Sequence, residues 1–173
     1  QTITGTSYDF DDFVKHVLFV EYGIEGKKKN LYNDLAEVMK SQKVQDVIKK
    51  LEEWAEIFEK LRVPSLSKWH GNGTTTQSLV ILNELGAVHA YPTLMQGYST
   101  YLTTSKKEYP IFEDLAHLLL TIQIRTKQVM GKGDGKIWKV TKEITEKLKG
   151  KKNWSDITAP IITEHQDSKA EFE

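Results

Sequence analysis

No cysteine occurs in the 173 residues. That excludes disulfides, thiol nucleophiles and every zinc motif built on thiolates. A chain without disulfides suits a reducing compartment, and a cytoplasmic location is expected. Arginine is almost as scarce: Arg62 and Arg125 are the only two among 24 basic residues. Arginine forks read guanine edges, whereas lysine mainly supplies charge to phosphates. Any DNA contact made by this chain is therefore expected to be salt-sensitive and weakly selective. Long apolar runs are also lacking. The longest, "VLFV" and "LLLTI", fall far below the ~20 residues that cross a bilayer. No membrane association and no secretory signal are expected. The sequence begins at Gln1 rather than methionine, and it is expected to be a piece of a longer chain.

What is present describes an ordinary globular domain with enough apolar residues to bury a core, 39% against 28% charged. Net charge is zero but unevenly spread. Asp9 to Lys60 holds 12 acids and 9 lysines. Arg125 to Lys152 holds ten basic residues against Asp134, Glu143 and Glu146, a local +7. Asn153 to Glu173 returns to about −4 by the same count. A basic segment of that size can meet phosphates or an acidic partner.

Apolar periodicity is helical nearly throughout. Asp9 and Asp12 resemble an acidic cap before a helix carrying Phe10, Phe13, Val14, Val17 and Leu18, ending at Gly23. Asn30 is expected to cap a short helix with Leu31, Leu35, Val38 and Met39. The clearest helix spans about Val44 to Arg62, its stripe being Val44, Val47, Ile48, Leu51, Trp54, Ala55, Phe58 and Leu61. Glu52, Glu53, Glu56 and Lys60 fall opposite, and Pro64 stops it. A helix from about Thr75 to Leu85 ends at Gly86, a left-handed cap. Pro92 and Pro110 each fit a first helical turn, where a missing N–H costs nothing. The first leads a stripe of Leu94, Met95, Tyr98, Tyr101 and Leu102. The second leads Ile111, Leu115, Leu118, Leu119, Ile122 and Val129. After the "GKGDG" break, Ile137, Val140, Ile144 and Leu148 define a helix closed by Gly150, and Trp154 to Ile162 forms a short last one. Only "QTITGT" hints at a strand. The expected fold is all-α: a single helical domain of seven to eight helices in an orthogonal or irregular bundle. Residues 1–8 form an extension, 9–150 the helical domain, and 151–173 a short helix with a polar tail.

Chemistry-bearing motifs are sparse. "GKGDGK" lacks phosphate-loop spacing and follows a helix rather than a strand, so it reads as a turn. His16, His70, His89, His117 and His165 include no pair at the helical metal spacing. His16 and His117 read as helix-border residues. Trp69 and His70, in "WHGNG", form a candidate ligand loop because the glycines allow close approach. Glu53 and Glu56 of "LEEWAE" belong to a solvated face. "NGT" at Asn72 and "NWS" at Asn153 match glycosylation sequons that are common by chance. Lys132, Lys136, Lys139, Lys142, Lys149, Lys151 and Lys152 are the candidates for nucleic-acid backbone contact. Neutralising Lys139, Lys142 and Lys149 is expected to abolish it. A solvated face is the competing reading of these lysines. Trp138, on the polar border of that helix, implies a covering partner or domain. No catalytic residue, metal or cofactor is expected in this chain.

The order of "DDFVKHVLFVEYG", "KNLYNDLAEVM", "AEIFEKLRVP", "LNELGAVHAYPTLMQGY" and "LLLTIQIRTKQVMG" resembles one known region. It is the helical middle of the GmrSD-type, modification-dependent restriction endonucleases and their relatives in antiphage defence. The likeness spans roughly Tyr8 to Leu148. Its most distinctive match is Tyr91-Pro92 with Leu94 following, where the family tends to read Tyr-Pro-Leu-Leu, and Arg125 falls where the family has one or two arginines. The resemblance implies a ParB-like nucleotide-using domain before this region and, in many members, an HNH-like nuclease domain after it. The Asp-Gly-Gln-Gln-Arg signature of the first and the histidine-rich metal motif of the second do not occur here. The expectation is therefore a non-catalytic helical scaffold between flanking domains, contacting DNA backbone through its basic segment. A stand-alone protein–protein interaction domain is the alternative, and a small enzyme using His70 the third reading.

Overall fold

The computed structural model describes residues 10–66, 69, 73–103, 109–150 and 153–167. "QTITGT", Asp9, His70, Asn72, Lys151, Lys152 and the polar tail after Asp167 lie outside the described residues. Eight α-helices and no strand occur among those described: α1 (Phe10–Tyr22), α2 (Leu31–Ser41), α3 (Val44–Arg62), α4 (Thr74–Glu84), α5 (Tyr91–Tyr101), α6 (Tyr109–Gln123), α7 (Asp134–Lys149) and α8 (Trp154–Asp167). The fold is all-α, as the periodicity implied.

Helix α5 is the axis on which the rest is assembled. It packs against α1, α3, α6 and α7, while α4 lies on α6 and α8 on α7. Tyr91, Leu94 and Met95 are fully buried on it, each such side chain contributing about 1.5–3 kcal/mol. Gly97 lets α6 approach: a Cβ there would lie 2.2 Å from Leu115 Cδ2. Against α7 the contact is polar and buried. Buried Thr93 donates its hydroxyl to the Thr141 carbonyl at 2.9 Å and shares a hydrogen bond with the Thr145 hydroxyl at 2.9 Å. Asn83 ties α4 to the end of α3, its amide donating to the carbonyls of Leu61 at 3.3 Å and Arg62 at 3.2 Å. The Tyr91 hydroxyl donates to the same side chain's oxygen. Otherwise orphaned carbonyls at a helix end are thereby satisfied.

Several ends follow the local rules. Pro92 sits in the first turn of α5. Gly86, at φ 62°, lets the Ala87 N–H reach back to the Leu82 carbonyl at 3.0 Å, closing α4 in a Schellman turn. Asn30 precedes α2 as expected, but its side chain makes no capping hydrogen bond.

Other expectations are corrected by packing. Val44 and Ile48 are each 45% exposed and Ala55 is exposed. The first half of α3 faces mainly the small core beneath α1 and α2, where Val47 is buried, and Leu51 bridges it to the main core. That core accepts a narrower face than the apolar stripe offers. Phe10 starts its helix at 63% exposure. Val129 points outward at 57% because α6 continues as a π-helical segment, Ile124–Val129. Its i→i+5 bonding, seen in Met130 N–H to Arg125 carbonyl at 2.8 Å, rotates later side chains by roughly 100°, one residue's worth of turn. Finally, α8 runs through Pro160 to Asp167 and buries Ile157 and Ile161, longer than the short helix expected. Among the described residues no helix is long and apolar enough to cross a membrane.

Candidate functional site

Tertiary contacts divide the basic segment in two. At the C-terminal half of α7, Lys142 forms an ion pair with Glu25 in the loop after α1. Lys149 donates to the Phe19 carbonyl at 2.8 Å and lies 5.5 Å above the Phe19 ring. Burial lowers the Lys149 pKa, while the hydrogen bond to Glu25 raises that of Lys142. Lys147 pairs with Glu143 at 2.6 Å and Lys127 with Asp134 at 2.8 Å. At the other end, Lys132 and Lys139 are exposed and Lys136 half-buried, with no ion-pair partner among the described residues. Lys151 and Lys152 lie beyond the described part.

Trp69 is partly buried in the main core. Its indole N–H donates to the Pro64 carbonyl at 3.0 Å, and its ring stacks on Phe112 with centroids 5.7 Å apart. Tyr98 meets it edge-on at 6.0 Å. Its expected companion His70 is outside the described residues. Glu53 and Glu56 are exposed, as a solvated face requires. Beside them lies an open groove of about 420 Å³, in which Glu21 accepts from the Trp54 indole at 2.9 Å and pairs with Lys50 at 3.5 Å.

Trp138 is half-buried, with two rings of this chain against it. Phe19 lies 5.1 Å away and His89 5.9 Å away, both tilted to the indole. These three rings and His16 form the walls of a cavity of about 310 Å³ between α1 and the start of α7. Lys15, Glu25, Lys27 and Asp134 supply its charges.

His16 is 3% exposed and stacks parallel on Tyr91, centroids 6.1 Å apart. Its Nδ1 finds no hydrogen-bond partner among the described residues. Burial, helped by the nearby positive charge of Lys15, drops its pKa from 6.5 to about 3. His89 is also lowered, chiefly by burial and against the pull of Asp134. Both imidazoles are therefore neutral at pH 7, each offering one donor and one acceptor. His16 is therefore not the helix-border residue its sequence position suggests but part of the buried face of α1. The available signal was that His16 shares the α1 stripe with Phe13, Val17 and Val20; nothing in one dimension links it to His89 or Trp138. Among the described residues, no group of three or more His, Cys, Asp or Glu is placed to hold a metal.

No family model matches this sequence, and neither a curated protein nor a solved structure matches it.

Proposed function

We propose that this chain is a non-catalytic helical scaffold, an interdomain module like the helical middle of GmrSD-type restriction proteins, touching DNA backbone through Lys132, Lys136 and Lys139. One observation carries the reading of the surface. Lys142 and Lys149 rivet α7 to α1 and its following loop, so the unpaired lysines ride on a fixed support at the helix's N-terminal end. That end also carries the positive pole of the helix dipole, which favours phosphate. The near absence of arginine fits backbone contact rather than base reading.

A salt titration of binding to random duplex DNA tests this. Three phosphate contacts give a slope of log K against log salt of roughly −2.7. Replacing Lys132, Lys136 and Lys139 with alanine removes most of that slope. Lack of binding at low salt would end the DNA reading. The alternative, a stand-alone protein–protein interaction domain, draws support from Val44 and Ile48, exposed one turn apart on α3.

A further inference from the structure

We propose that the cavity between α1 and the start of α7 binds a small, flat aromatic molecule carrying one acidic group. The inference goes beyond the DNA reading and does not depend on it.

Shape comes first. At about 310 Å³ the cavity sits at the small end of ligand pockets, about 300–1,000 Å³, which suits one or two rings and a short substituent. His89 and Trp138, both half-buried, present ring surface to that space, with buried Phe19 packed against Trp138, and such walls favour a flat π system over an aliphatic chain. Trp138 would ordinarily be buried or capped; here it is half-buried, and part of its surface faces the cavity.

Charge selects the substituent. The two carboxylates in the lining are already neutralised from outside it, Glu25 by Lys142 and Asp134 by Lys127. The two lysines in the lining, Lys15 and Lys27, have no ion-pair partner among the described residues. The positive end of α7 arrives at Gly135, on the same wall. The charge left for a ligand to meet is therefore positive. Buried His16 backs the same wall with a neutral ring.

Two sources share this chemistry: nucleoside monophosphates and aromatic carboxylates. Isothermal titration of the intact chain with adenosine 5′-monophosphate and with indole-3-acetate separates them. Adenosine, indole and inorganic phosphate serve as the half-molecules. At least one ring-and-anion probe is expected to bind at least about tenfold more tightly than either of its halves. Lys15→Ala, at a half-buried position, combined with Lys27→Ala, at an exposed one, should weaken that binding by about tenfold or more with an unchanged circular dichroism spectrum. Trp138→Phe, which keeps a ring, should retain most of it, while Trp138→Leu should not. The Lys132, Lys136 and Lys139 triple alanine variant should bind the probe as before, so that this site and the DNA contact fail separately. The proposal is overturned if neither probe binds at millimolar concentration, if phosphate alone binds as tightly, or if the double lysine variant binds unchanged.

Discussion

The ammonium of Lys149, near the end of α7, donates to the backbone carbonyl of Phe19 across 130 residues of sequence. Phe19 lies in the last turn of α1, and the same carbonyl accepts the N–H of Gly23 at 3.0 Å. A cation there meets the negative end of the helix dipole. Lys149 thus acts as a distant C-cap for α1, and its ammonium lies over the Phe19 ring.

Replacing Lys149 with alanine is therefore expected to lower stability by about 1 kcal/mol, the worth of a terminal cation with its hydrogen bond. Its effect on DNA affinity should be small beside that of Lys132, Lys136 and Lys139. Denaturant unfolding and the DNA salt titration, run on the same variant, check both halves. A variant as stable as the parent that no longer bound DNA would reverse the assignment.

His16 makes stability depend on acidity. The unfolded chain protonates this imidazole near 6.5 and the folded chain only near 3, so between those values the unfolded state holds more protons. Stability then rises with pH across this window, by up to about 1.4 kcal/mol per unit, and levels off above it. His89, shifted in the same direction, adds to the trend. His16→Phe keeps a ring against Tyr91 and should flatten much of the loss between pH 6.5 and 4.5. Urea midpoints for the two proteins that ran parallel with pH would show that this imidazole is not buried in its neutral form.

Gly97 sets the approach of α5 to α6. Alanine would bring a methyl 2.2 Å from the Leu115 terminal carbon, and Leu115 is itself fully buried. Overpacking of this kind costs about 1–3 kcal/mol, reduced by up to about 1 kcal/mol from alanine's better helix propensity. Gly97→Ala should melt earlier, and adding Leu115→Val should recover part of the loss. A higher melting temperature for the single variant would mean that Leu115 moves aside without strain.

Helical order was written into the chain locally. The span Val44–Arg62, the prolines opening α5 and α6 and the glycine closing α4 obey rules that act within a few residues. The inward face of α7 was equally legible, since Ile137, Val140, Ile144 and Leu148 are all buried. Which part of an apolar stripe finds a partner was not. Val44, Ile48 and Val129 repeat at helical spacing but face outward, because burial depends on what the neighbouring helices present and on a π-turn that shifts the register.

The helices, their stops and the lysine-rich stretch from Arg125 to Lys152 were legible along the chain, because backbone bonding and charge are local properties. Which lysines are already engaged and which rings gather depends on how the helices pack. The Lys142–Glu25 pair joins residues 117 positions apart, and His16, His89 and Trp138 meet only where α1, the turn before α5 and α7 converge. Such contacts exist because burying the shared core brings those helices together, and no spacing along the chain records it.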